Sequence, residues 1–158
     1  MKETERIADQ LKRAVYGEAW SGPSVKEVLD GVSAAVAASR PVAGAHSIWE
    51  LVLHIGAWIN IARRRVEGET VNVTPEVNFP PVVDTSEAAW KAALKSLEME
   101  EEALRNTILR LSDEQLDQLV RPSGLSVYIL LHGAVQHSLY HAGQIPLLRK
   151  AASGLSPS

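Results

Sequence analysis

Apolar residues recur at intervals of three and four along four long stretches of this 158-residue chain, and almost no segment alternates with period two. The first spacing gives a helix one apolar face; the second is what a half-buried strand would need. Such a chain must bury its helical faces against one another. The predicted fold is an all-α four-helix bundle with short extra helices in its connections.

The punctuation supports that reading. The first pattern runs over about 2–20, with Ile7, Leu11, Ala14 and Val15 inward, and stops at Ser21, Gly22 and Pro23. Ser24 with Glu27 is a capping box ahead of Val25, Val28 and Leu29, so a short helix follows. Residues 38–45, with Pro41 and Gly44, read as a loop. The second long helix opens on another box, Ser47 with Glu50, and runs to about 67, where Gly68 supplies a stop. Its apolar face is Ile48, Leu51, Val52, Ile55, Trp58, Ile59, Ala62 and Val66. Residues 68–84, which include TPEVNFPPVVD, are predicted to be non-helical; connections of that length often serve function. The third helix spans about 85–109 and is expected to bury Trp90, Ala93, Leu94, Leu97, Leu104 and Ile108. Glu98, Glu100, Glu101 and Glu102 read as its solvated face. Ser112 with Gln115 caps a further short helix, and the fourth long helix spans about 126–151. Pro146 should bend or tighten that helix. Residues 1–152 form one predicted domain and 153–158 a fraying tail.

Three histidines stand out on this frame. His137 and His141 are four residues apart, about 400° around a helix, so they point the same way one turn apart. Their stripe continues through Leu130, Ala134, Gln144 and Leu148, which is mostly apolar and so faces inward. His54 lies on the stripe Leu51, His54, Trp58 and Ile61 of the second helix, also inward. Ligands on facing helices are how bundles build metal sites. The predicted ligand set is therefore His54, His137 and His141. The bland alternative is three hydrogen-bonded core histidines. His132 and His46 fall off these stripes and are assigned ordinary packing or surface roles.

Rival motifs fit less well. A zinc-protease helix needs glutamate directly after its first histidine, and that position is Ser138. A di-iron bundle needs Glu-x-x-His pairs, but Leu51, Ala134 and Ser138 stand three residues before the histidines. Glu50 is one turn before His54, though capping explains it more simply. With no cysteine in the chain, disulfides, thiolate ligands and a cysteine nucleophile are excluded. A net charge of −3 gives no nucleic-acid footprint. The opening MKETERIADQLKR lacks the apolar core of a signal peptide, and no run approaches the roughly 18–20 apolar residues of a membrane span. The expected setting is the cytoplasm, with no membrane and no nucleic-acid partner.

Three imidazoles leave coordination positions open on a metal ion. Zn²⁺ or Ni²⁺ leads the candidates, with Fe²⁺, Mn²⁺ and Co²⁺ also compatible. Such an ion lowers the pKa of bound water towards about 7, or delivers a thiol as thiolate. Trp58 is placed to wall the pocket, and Gln144 to touch bound water or substrate. Arg63, Arg64 and Arg65 follow His54 by two to three turns and read as solvated.

The segments SIWELVLHIGAWINIARRRVEGE and YILLHGAVQHSLYHAGQIPLLRKA closely resemble the two signature segments of the DinB-like superfamily, which includes the YfiT-type metal-dependent hydrolases. The resemblance implies an up-down-down-up bundle, a metal held by His54, His137 and His141, and a homodimer. Some members resemble bacillithiol or mycothiol transferases, and others a mycothiol-dependent maleylpyruvate isomerase. The expected function is a metal-dependent enzyme acting on a small-molecule substrate, either a hydrolase using metal-activated water or a thiol S-transferase with a low-molecular-weight thiol. The alternative is a non-catalytic metal-binding stress-response protein.

Overall fold

Side-chain caps set the helix starts where the sequence marks them. The computed structural model describes residues 1–154. In chain order these form α1 (Glu3–Tyr16), α2 (Val25–Leu29), α3 (Ala34–Ala38), α4 (Ile48–Val66), α5 (Pro75–Asn78), α6 (Glu87–Arg110), a 3-10 turn (Asp113–Asp117) and α7 (Val127–Gly154). Ser24 and Ser47 cap α2 and α4, with Glu27 and Glu50 answering as box partners. Ser86 caps α6. At its other end α4 closes on Gly68, whose φ of +95° suits a residue without Cβ. The amides of Gly68 and Glu69 donate to the carbonyls of Arg65 and Arg64, which terminates the helix in a Schellman motif.

The long helices α1, α4, α6 and α7 form the bundle. Each of α1 and α4 packs against both α6 and α7, so the order around the ring is α1, α6, α4, α7. The core runs from Ile7 and Leu11 through Ile48, Val52, Ile55 and Ile59 to Leu104, Ile108, Leu131 and Ile145. Among the described residues there is no strand, and no helix is long and apolar enough to cross a membrane.

Several local expectations need correcting. The first helix ends at Tyr16, not near residue 20, because Gly17 (φ +148°) and Glu18 (φ +66°) leave helical space. The loop expected over 38–45 starts one residue later, because Ala38 ends the short helix α3, which Ser33 caps. The connection over 68–84 is not free of helix: Thr74 accepts from the Val77 amide and Pro75 takes the first helical position, giving the single turn α5. Helix α7, with Pro146 inside it, continues past residue 151 to Gly154. Residues 153 and 154 of the expected tail thus belong to it, and 155–158 lie outside the described residues.

Two charged side chains expected in solvent are buried. Glu101 is 0% exposed, because it sits on the same stripe as Leu97, Leu104 and Ile108. Its Oε1 accepts from Arg105 Nε at 3.1 Å, and burial pushes its pKa up. Arg65 is 8% exposed; its Nη2 donates to the Val71 carbonyl at 2.8 Å, since the chain leaving α4 folds back over it.

Leu104 is fully buried in the middle of α6, whereas Leu109 on the same helix is exposed. Leu104→Ala is expected to cost about 2–5 kcal/mol and Leu109→Ala less than about 0.5 kcal/mol, read from denaturant midpoints.

Candidate metal centre

The site forms where α4 packs on α7. His54 lies on the inward stripe of α4, two turns in from the Ser47 cap, and His137 and His141 lie on successive turns of α7. His54 and His141 are 6% and 8% exposed, and His137 is half-buried. One ligand atom from each of the three comes within 4.8 Å of the others, and among the described residues no carboxylate joins them.

The arrangement within the cluster is more telling than the proximity. His137 Nε2 is 2.9 Å from His54 Nε2 and 3.1 Å from His141 Nε2. His54 Nδ1 is 2.6 Å from the carbonyl oxygen of Asn78. A carbonyl only accepts, so Nδ1 carries the hydrogen and Nε2 is left with a bare lone pair. His141 Nδ1 likewise donates to Gln144 Oε1 at 2.6 Å, which again leaves Nε2 bare. Two lone pairs therefore face His137 Nε2. A single hydrogen there satisfies one neighbour and leaves the other lone pair opposed. One cation among the three satisfies all of them. Nitrogens about 2.1 Å from a common ion stand roughly 2.9–3.4 Å apart, depending on the angle between them, and the two separations at His137 Nε2 fall in that range. The three-histidine group can hold a metal ion.

The surrounding residues fix this orientation, as outer hydrogen bonds do at metal-binding imidazoles. Asn78, the last residue of α5, binds His54 through its backbone and accepts from Trp58 Nε1 through Oδ1 at 2.9 Å. Phe79 stacks on the His54 ring with centroids 4.0 Å apart and planes at 4°, and on its other face stacks on His46 at 3.8 Å. Gln144, expected to touch bound water or substrate, has its Oε1 engaged by His141 Nδ1 and so anchors that ring. Glu50 is taken up by the Ser47 amide and Arg40 and does not reach the cluster. His132 packs beside Tyr128, away from the site. Sequence reasoning missed Asn78 and Phe79. The signal that could have found them is Thr74-Pro75-Glu76, a helix start inside the long connection.

Burial keeps the rings neutral. It pushes the His137 pKa from 6.5 down to about 4, helped by the neighbouring His141 and His54. Burial also lowers His54 and His141, against the opposing hydrogen bonds from Asn78 and Gln144. Neutral imidazole is the form that binds metal.

A cavity of about 420 Å³ opens beside the cluster, with His54, His137, Trp58 and Asn78 in its lining. His141 is not part of that lining.

No curated protein matches the chain. In fold it is similar to the crystal structure of a conserved protein from Enterococcus faecalis, at 17% identity over 98% of this chain and 99% of that one, with a TM-score of 0.71. The family model of the DinB superfamily matches residues 20–145, a span that contains His54, His137 and His141 together with the two helices' contact. The chain therefore belongs to the DinB superfamily.

Proposed function

We propose that this protein is a cytoplasmic metal-dependent enzyme acting on a small molecule, with His54, His137 and His141 as ligands to Zn²⁺ or Ni²⁺. The observation that carries the reading is the meeting of three Nε2 atoms, two of them held as bare lone pairs by outer hydrogen bonds. A divalent ion there lowers the pKa of a coordinated water or thiol. The adjoining cavity offers a second molecule access to that point.

Thiol transfer is favoured over hydrolysis. Apart from the two histidine ligands, the residues lining the cavity are Trp58, Asn78 and apolar or small side chains. None of them is a proton carrier near neutral pH. Hydrolysis usually needs such a group, whereas a thiol that has lost its proton to solvent attacks an electrophilic carbon unaided, forming the C–S bond as the leaving group departs with its electrons. Asn78 and Gln144 hold the histidines in place, and Trp58 and Phe79 exclude water from them.

A homodimer is part of this reading. Helix α7 is apolar on nearly every side, yet Ile129, Tyr140 and Leu147 stand exposed on one face. A helix of that composition is ordinarily covered all round. Light scattering should give twice the chain mass, and Tyr140→Glu should shift it towards the monomer.

Protein purified without a histidine tag should carry about one divalent ion per chain by elemental analysis. His137→Ala and His141→Ala should each lose most of it while the far-ultraviolet helix signal persists. Unchanged metal content in both variants would overturn the assignment. Bound metal without turnover of any thiol and electrophile pair would leave a non-catalytic metal-binding protein.

The depressed His137 pKa sets a pH dependence for the metal-free protein. Below pH 6.5 the unfolded ring takes up a proton that the folded ring refuses until about pH 4. The unfolded state holds more protons in that window, so stability falls as pH falls through it. The thermal midpoint should drop between those values, and His137→Gln should flatten the drop.

A further inference from the structure

We propose that the cavity beside the three histidines is a subsite for a compact apolar group of the substrate, and that Gly133 sets the size of group it admits. The inference rests on the metal reading above and adds the chemistry of the molecule that meets the metal.

The lining is asymmetric. At one place stand His54 and His137, with their Nε2 atoms turned to the cluster. Around the remainder are Trp58, Leu125, Ile129 and Leu130, with Ala62, Gly133 and Ala134 between them. The polar groups are largely committed: Trp58 Nε1 donates to Asn78 Oδ1, and the Asn78 carbonyl accepts from His54. A charged or heavily hydroxylated body placed here would lose its water and find few partners, at a cost of several kcal/mol in total. An apolar body loses nothing by entering and gains from burial. At about 420 Å³ the space is at the small end of ligand pockets. It takes a group such as an aromatic ring or a short branched alkyl chain, and no polymer.

Small residues keep the space open. Gly133 is one helical turn before His137 on α7, so whatever stands at 133 lies next to the ligand on the same face. A Cβ built on Gly133 meets nothing within 4 Å, and the residue is helical. The glycine is therefore not needed for packing or for an unusual backbone angle. Glycine in a helix interior costs about 1 kcal/mol relative to alanine. A site that tolerates a side chain, pays that cost and borders the cavity is the expected signature of room reserved for a ligand.

The test uses Co²⁺-loaded full-length protein and two thiols of similar acidity, benzyl mercaptan and 2-mercaptoethanol, with binding read from the thiolate-to-cobalt absorption band. Wild type should bind benzyl mercaptan at least about tenfold more tightly, as roughly 1.4 kcal/mol of added burial requires. Gly133→Leu should abolish the preference and leave cobalt content and 2-mercaptoethanol affinity unchanged. Gly133→Ala should keep most of the preference, which controls for the effect of a side chain on the helix. Cobalt-loaded wild type without the preference, or Gly133→Leu that retains it, overturns this inference alone. Failure of wild type to bind cobalt overturns the metal reading and this proposal together.

Discussion

The site depends on a mismatch that protein groups alone do not resolve. Two imidazoles are locked with their lone pairs inward, and the third ring has only one hydrogen to offer them. Buried polar groups left unpaired are costly. A cation removes the conflict at one stroke. The α4–α7 contact supplies the convergence, and the outer hydrogen bonds supply the direction of each ring.

Those outer contacts come from two different kinds of structure. Gln144 is on the same helix as His141, three residues on, so α7 orients its own ligand. His54 is held from outside its helix, by a single turn in the connection between α4 and α6. That turn places the Asn78 carbonyl on one edge of the ring and the Phe79 side chain flat against its face. The long connection thus belongs to the site, and its prolines limit the conformations it must give up on folding. Trp58 ties the same turn to α4 a second time.

The charge distribution separates the site from the rest of the bundle. The buried cluster holds no carboxylate among the described residues. Three acidic residues of α6 are engaged elsewhere: Glu98 with Lys26, Glu100 with Asn60 and Glu101 with Arg105. Arg65 is buried over the Trp58 ring, with its guanidinium carbon 5.9 Å from the ring centroid, and so stiffens the aromatic wall of the cavity. Neutral ligands, apolar walls and small residues together describe a place where a metal's charge would be weakly screened and therefore strong in its effect on a bound group.

The helical period, the capping boxes at Ser24 and Ser47 and the i, i+4 histidine pair are local properties, and each was legible in the sequence because each depends on residues within a turn or two. Those features determined an all-α bundle, the starts of α2 and α4 and the three inward histidines. Misread positions had local signals that were outweighed: Glu101 stands on the stripe of Leu97 and Leu104, but its charged neighbours masked it, and Thr74-Pro75 marks a helix start inside a stretch rich in breakers. Only the tertiary structure decided the rest. That Asn78 and Phe79 meet His54, and that a cavity opens beside two histidines and not the third, depend on how separate segments dock. Docking is fixed by packing between distant residues, and no spacing along the chain encodes it.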